Sequence, residues 1–211
     1  MPFAYPISLE VSGRRAVVIG TVAVALGKAE GLLEAGADLT ILATEPADRL
    51  EILASQGAQV HRRSYRPGDL ADVFVCVASD PDPSVRDTIH EEALARGVLI
   101  NMIDDIPHSN WAAPALVRRG DLILAISTGG RSPSLARKLR EELEASFGPE
   151  WEGAMDILGR LREESLRLYP DFEDRAGRWS TALDTHELID LIRADKGEEA
   201  RERILARLAA G

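Results

Sequence analysis

A chain of 211 residues, 45% apolar and 28% charged, has the length and balance of a globular protein with one large or two small domains and a substantial core. Its net charge of −10 argues against a nucleic-acid partner, because a phosphate backbone is bound by clustered positive charge. Apolar runs stop far short of the about twenty residues that span a bilayer, and residues 1–15 lack the charged-then-apolar order of a signal peptide, so a cytoplasmic protein with no membrane partner is expected.

In chain order, residues 14–20 (RRAVVIG) read as a strand and 23–35 as a helix ending at Gly36. A second strand follows at 38–43, a short helix at 46–57 and a third strand at 58–64. The pattern repeats with a strand at 72–78, a helix at 83–96 closed by Gly97, and strands at 98–103 and 121–127. Strands that are apolar throughout belong to a parallel sheet covered on both faces. The alternation predicts an α/β fold, a Rossmann-type doubly wound parallel sheet over residues 1–112. A strand-loop-helix region for substrate and dimerisation is expected at 113–147, and a C-terminal helical domain at 148–211. In that tail, Trp151, Met155, Leu158, Leu161 and Leu168 recur at helical spacing up to Pro170, and helices at 186–194 and 197–209 follow. So small a helix set is expected to dock on a partner subunit or on the main domain, and a homodimer is expected. Cys76, the single cysteine, excludes an internal disulfide and reads as a small buried hydrophobe.

The run from Ile126 to Arg140 outlines an anion site. Ser127, Thr128, Gly129, Gly130, Arg131 and Ser132 follow a strand, and Ser132 and Pro133 open a helix as N-cap and first helical residue. Backbone N–H groups at a helix start and a nearby arginine attract carboxylate or phosphate. Between Ala115 and Arg140 the basic residues Arg118, Arg119, Arg131, Arg137, Lys138 and Arg140 face one acid, Asp121. That island suits a polyanionic small ligand, or it is a solvated helix face balanced by Glu141, Glu142 and Glu144. Upstream, NMIDD (Asn101 to Asp105) ends a strand with two carboxylates, at the edge of an open parallel sheet where ligands bind.

Gly20 stands where a dinucleotide fingerprint G-x-G-x-x-G/A would begin. The run Gly20-Thr21-Val22-Ala23-Val24-Ala25 fits at its first and last positions, but Val22 replaces the glycine that lets a pyrophosphate approach. The acid expected at the end of the second strand is Glu45, preceded by Thr44. His108 follows Asp104 on one loop without a second visible ligand, and His61, His90 and His186 have no evident partners, so no metal site is assigned. Trp111 is read as packing the loop.

Over YPISLEVSGRRAVVIG, LLEAGADLTILA, ARGVLINMIDD and PALVRRGDLILAISTGGRSPSLARKLREELE, the chain resembles the precorrin-2 dehydrogenase / sirohydrochlorin ferrochelatase family, the N-terminal module of siroheme synthases. The resemblance extends over the helical tail, which in that family helps build a dimer. It implies NAD-dependent oxidation of precorrin-2 to sirohydrochlorin for siroheme or cobalamin, with Fe2+ as a possible metal substrate for chelation. Asp104 matches the family's essential aspartate and is the expected general base; Asp105 beside it either raises the pKa of Asp104 or caps the loop. Residues 127–132 are expected to clamp the carboxylates of the tetrapyrrole substrate. Gly20, Ala23, Val24, Thr44 and Glu45 are the expected NAD contacts. Departures from the family pattern, at Thr21, Val22, Ala23, Gly27 and Arg86, all fall on the nucleotide side. The alternative is a chelatase-only or non-catalytic paralogue that binds tetrapyrrole and has lost NAD.

Overall fold

The computed structural model describes residues 5–211; residues 1–4, the start of the expected first domain, lie outside the described residues. The chain divides into two compact units, 1–113 and 114–211.

The first unit runs β1 (Arg15–Ile19), α1 (Ala23–Glu34), β2 (Asp38–Leu42), α2 (Asp48–Ser55), β3 (Gln59–His61), β4 (Val75–Ala78), α3 (Pro83–Arg96) and β5 (Leu99–Met102). All five strands are parallel in the order β3-β2-β1-β4-β5, so the order reverses beside β1. Alternate residues of the same strands feed two cores. Ala16, Val18, Ile41 and Val77 pack with Ala25, Leu26 and Ala29 of α1 and Leu50 and Leu53 of α2. Val17, Ile19, Cys76 and Ile100 pack with Ile89 and Ala93 of α3. Each large side chain buried in this way contributes about 2 kcal/mol before entropy is counted. The expected doubly covered parallel sheet is therefore present.

Local signals set the element ends. Asp82 caps α3, its carboxylate accepting from the Ser84 N–H at 2.9 Å; Pro83 takes the first helical position, and Gly97 closes the helix at φ 68°. The third and fourth strands are shorter than the expected 58–64 and 72–78. No helix links them among the described residues. Instead residues 62–74 form turns, pinned by Arg63 to both Asp69 oxygens at 2.7 Å and by Tyr65 donating to Glu92.

The second unit contains β6 (Ala115–Arg119), β7 (Leu122–Ile126), α4 (Pro133–Ser146), α5 (Glu150–Leu168), α6 (Phe172–Ala182), α7 (Thr185–Arg193) and α8 (Gly197–Ala210). Here the sequence expectation needs correcting. The strand expected at 121–127 does not join the parallel sheet; it pairs antiparallel with β6, which was not expected, around Gly120 at φ 55°. Burial along β7 alternates, so its apolar run marks a surface with exposed apolar side chains. α6 was also not expected: Asp171 caps it through the Asp174 N–H at 2.8 Å, one residue after Pro170. The tail is not too small to bury itself, since Ala154, Leu161, Leu188, Ala200, Ile204 and Leu208 from α5, α7 and α8 form one core. The helix left without a buried residue is α4.

Candidate active site

In the first unit, Gly20 follows β1, Ala23 and Val24 open α1, Thr44 and Glu45 follow β2, and Asp104 follows β5. Because the strands are parallel, these positions share the carboxyl edge of the sheet, and Gly20 sits beside β4 where the strand order reverses. Gly20 is fixed by its surroundings: φ is 95°, and a Cβ there would lie 2.3 Å from the Ser79 carbonyl oxygen. Val22, the N-cap of α1, has φ −59° and ψ 141°, angles open to any L residue, so the turn makes no conformational demand for glycine there. Its side chain is 47% exposed rather than packed. No side chain caps α1, and Ala23 and Val24 are exposed, leaving the backbone donors of its first turn for an anion. That donor set fits a dinucleotide phosphate, and exposed Glu45 at the end of β2 fits a ribose hydroxyl acceptor.

Asp104 is exposed and adopts φ 57°, in the left-handed region. Asp105 points elsewhere: its Oδ1 lies 2.8 Å from His108 Nδ1 and its Oδ2 3.3 Å from Arg86 Nε. The Arg86 approach is an ion pair without hydrogen-bond geometry, and the guanidinium also donates to the Asp80 carbonyl at 2.9 Å. Arg86 thus ties the first turn of α3 to the loop after Asp104. His108 Nε2 reaches Asp87 at 3.0 Å, and the His90 ring meets that of His108 edge-on, with Nδ1 3.0 Å from the His108 carbonyl. His90 therefore does have a partner, contrary to expectation. Ser109 Oγ ties the loop as well, accepting from the Met102 N–H at 2.9 Å and donating its one hydrogen to the Asp105 carbonyl at 2.8 Å, with the Met102 carbonyl 3.2 Å away.

The hydrogen bond to Asp105, and then the charge of Asp105 and Asp87, hold the His108 imidazole above its ordinary value, while His108 holds Asp105 below the usual carboxylate range. A raised histidine stabilises fully below about pH 6.5 and loses that contribution as pH rises through the raised value; a depressed aspartate loses its contribution as pH falls through the depressed value. The loop is best anchored between those limits. Histidine-resolved NMR should show His108 titrating above 6.5 and returning toward it in Asp105→Asn; an unchanged midpoint in the variant would contradict the pairing.

Two residues that the sequence reading passed over complete this edge. Lys28 of α1 sends Nζ to Asn101 Oδ1 at 2.5 Å, and Asn101, buried in β5, donates to the Trp111 carbonyl at 3.0 Å. Burial pushes the Lys28 ammonium below the ordinary lysine value, and the charge of Asp104 opposes that fall. The signals were available: a lysine between the buried Ala25 and Ala29, and one asparagine inside the strand VLINMI.

Ser127 to Ser132 lie in the second unit, between β7 and α4. Gly129 and Gly130 have φ 60° and 77°. The turn satisfies part of itself: Ser127 Oγ accepts from the Gly129 N–H at 3.2 Å, Thr128 Oγ1 from Ser132 at 3.1 Å and Ser132 Oγ from Leu135 at 3.3 Å. The basic island is largely spent as well. Arg137, Lys138 and Arg140 pair with Glu141, Glu142 and Glu144, and Arg119 donates to the Phe147 and Glu144 carbonyls at the end of α4. Arg118 and Arg131, both exposed, have no ion pair among the described residues. The solvated-face reading of α4 thus accounts for three of the six cations.

A parallel β3-β2-β1-β4-β5 sheet with a tight glycine turn into an uncapped helix defines a dinucleotide-binding class of protein. Residues 7–115 match the family described as putative NAD(P)-binding, and the chain belongs to that family. Residues 119–146 match a second description, sirohaem biosynthesis protein central. Over 98% of its length the chain is 34% identical to the siroheme synthase of Chromobacterium violaceum, and over 98% it is 33% identical to that of Pseudomonas entomophila. It spans 44% of the length of each of these relatives. The solved structure of SirC, a precorrin-2 dehydrogenase, superposes with a TM-score of 0.66 over 99% of this chain and 100% of that one at 24% identity, a likeness of fold. No described helix is long and apolar enough to cross a membrane.

Proposed function

We propose that this chain oxidises precorrin-2 to sirohydrochlorin with NAD+. The observation that carries the reading is one sheet edge offering both an uncapped helix start for the dinucleotide phosphates and an exposed carboxylate, Asp104, for a proton. The dehydrogenation removes a hydride and a proton from the macrocycle, giving sirohydrochlorin, NADH and H+. When bound, the nicotinamide accepts the hydride. Asp104 Oδ accepts the proton, and the Asp105, His108 and Arg86 ties hold the loop that carries it. Ala23 and Val24 supply backbone N–H groups to the diphosphate, and Glu45 receives the ribose hydroxyls. Ser127, Thr128, Gly129, Gly130, Arg131 and Ser132 are assigned to substrate carboxylates, with Arg131 as the free cation of the turn. The siroheme synthase relatives and the SirC fold support the substrate class. Anaerobic incubation with precorrin-2 and NAD+ should produce the sirohydrochlorin absorbance; NAD+-independent or absent conversion would refute the proposal.

Val22 favours a second reading, chelation of Fe2+ into sirohydrochlorin by a chain without nucleotide chemistry, in which Asp104 takes protons from the pyrrole nitrogens. Metal insertion into supplied sirohydrochlorin, without NAD+ binding, would select it.

The working unit in this proposal is a homodimer. α4 has apolar side chains at Leu135, Leu139 and Leu143 but buries none of them, and Leu116 and Ile123 of the hairpin stay 40% and 46% exposed. A groove between β7 and α4 is lined by Ala125, Ile126, Leu139 and Leu143 together with Ser127, Glu142 and Ser146. Light scattering should give twice the chain mass for the wild type and the single-chain mass for Leu135→Glu; a wild-type monomer would contradict the assignment.

A further inference from the structure

β5 is the last strand of the parallel sheet, so one of its edges has no neighbouring strand. The N–H groups of Leu99 and Ile103 point inward, to the carbonyls of Phe74 at 3.0 Å and Ala78 at 2.8 Å, and those of Ile100 and Met102 therefore face the open edge. Both residues are buried, where an unpaired N–H is costly. Side chains of the returning loop take the place of the missing strand. Asn110 Oδ1 accepts from the Ile100 N–H at 2.8 Å, its Nδ2 donates to the Val98 carbonyl at 3.1 Å, and its own N–H donates to the Ile100 carbonyl at 2.9 Å. Ser109 Oγ accepts from the Met102 N–H at 2.9 Å.

The serine does more than cover an edge. Met102 to Asp105 form a tight turn, closed by the Asp105 N–H on the Met102 carbonyl at 3.2 Å, with Asp104 as its third residue. Of the two central residues Asp104 alone has a positive φ, 57°, at a position that such turns usually give to glycine or asparagine. Ser109 Oγ takes the Met102 N–H ahead of Asp104 and donates to the Asp105 carbonyl behind it at 2.8 Å. One hydroxyl thus bonds the backbone on both sides of Asp104. The ties from the Asp105 side chain to His108 and Arg86 act beyond the turn. Ser109 is itself held, by its N–H on the Ile106 carbonyl at 3.0 Å and by Asn110 next to it on β5.

We propose that Ser109 is a positioning residue for Asp104: seated on β5 by Asn110, its hydroxyl clips the Met102–Asp105 turn from both ends and so fixes where the Asp104 carboxylate meets the substrate. The proposal rests on the reading of Asp104 as proton acceptor, and it assigns Ser109 no contact with reacting atoms. The position calls for a hydroxyl because one atom must accept from an N–H and donate to a carbonyl at once.

Backbone amide relaxation NMR on the ligand-free chain needs no turnover, so it tests the clip separately from the dehydrogenase reading. In the wild type the Asp104 and Asp105 amides should have the order parameters of rigid backbone, about 0.85; in Ser109→Ala they should fall below about 0.6 while those of β5 hold. Ser109→Cys, similar in size but a weak donor and acceptor, should do the same, and it carries the measurement if the alanine variant does not fold. Ser109→Thr keeps the hydroxyl and should retain the wild-type order. Unchanged order at Asp104 in Ser109→Cys overturns the proposal, whatever the chain catalyses. In turnover, Ser109→Ala should lower kcat by about tenfold to a hundredfold with KM for NAD+ unchanged. Ser109→Thr should recover most of that loss, and Ser109→Ala added to Asp104→Asn should cost nothing further. Wild-type kcat in Ser109→Ala, or losses that add in full, overturns it equally.

Discussion

Asp104→Asn is expected to lower the rate of precorrin-2 dehydrogenation by about 10²–10⁴-fold, roughly 3–5 kcal/mol of barrier, while leaving the fold and NAD+ affinity unchanged. The choice of asparagine matters. Asp104 sits at φ 57°, and asparagine tolerates that region, whereas alanine would add backbone strain of about 1 kcal/mol and confuse a lost proton acceptor with a displaced loop. The neighbouring Asp105→Asn should behave differently. Asp105 spends both oxygens on His108 and Arg86, so its loss should loosen the loop and show most as stability lost between the depressed Asp105 value and the raised His108 value, where the pair is charged, rather than as a chemical block. Steady-state rates of the two variants beside their thermal unfolding separate the roles; full activity in Asp104→Asn would remove it as the base.

Gly20→Ala is expected to be the most damaging small substitution in the first unit. The new methyl would meet the Ser79 carbonyl oxygen at 2.3 Å, and φ 95° is strained for any L side chain. Relief requires parting β1 from β4 where the Ser79 N–H donates to the Ile19 carbonyl at 2.8 Å, while the Gly20 N–H is held on the other side by the Leu42 carbonyl of β2 at 2.8 Å. A loss of about 2–4 kcal/mol is expected, together with loss of nucleotide binding. Gly27→Ala supplies the opposite sign: it lies inside α1 with nothing within 4 Å of an added Cβ, so helix propensity alone should raise stability by about 0.5–1 kcal/mol. Urea unfolding of both variants checks the contrast, and equal midpoints would contradict it.

The parallel sheet was legible because its strands are short apolar runs between clear punctuation. Asp82, Pro83 and Gly97 delimit α3 at 83–96, as expected, and the glycine turn marks the end of β1. The hairpin was not legible, because Leu122 to Ile126 carries five apolar residues in succession and so imitates a strand buried on both faces. Its exposed side chains have meaning only with a covering surface, which periodicity within one chain does not encode. Similarly, the basic island looked like a ligand magnet because one-dimensional spacing does not show that Arg119 is spent on carbonyls and that α4 neutralises its own cations. Asp104 is proposed from the motif that contains it. Lys28, from a helix seventy-odd positions earlier, becomes visible only once β5 brings Asn101 beneath it.

The two functional readings part at Val22. Its backbone angles make no demand for glycine and its side chain is 47% exposed, so the proposed reading has the isopropyl group turn aside from a dinucleotide phosphate at the start of α1. Calorimetric titration of the ligand-free chain with NAD+ is the most direct test. The account predicts saturable binding with one site per chain, tightened in Val22→Gly. Absence of heat up to millimolar NAD+ in the wild type would contradict it.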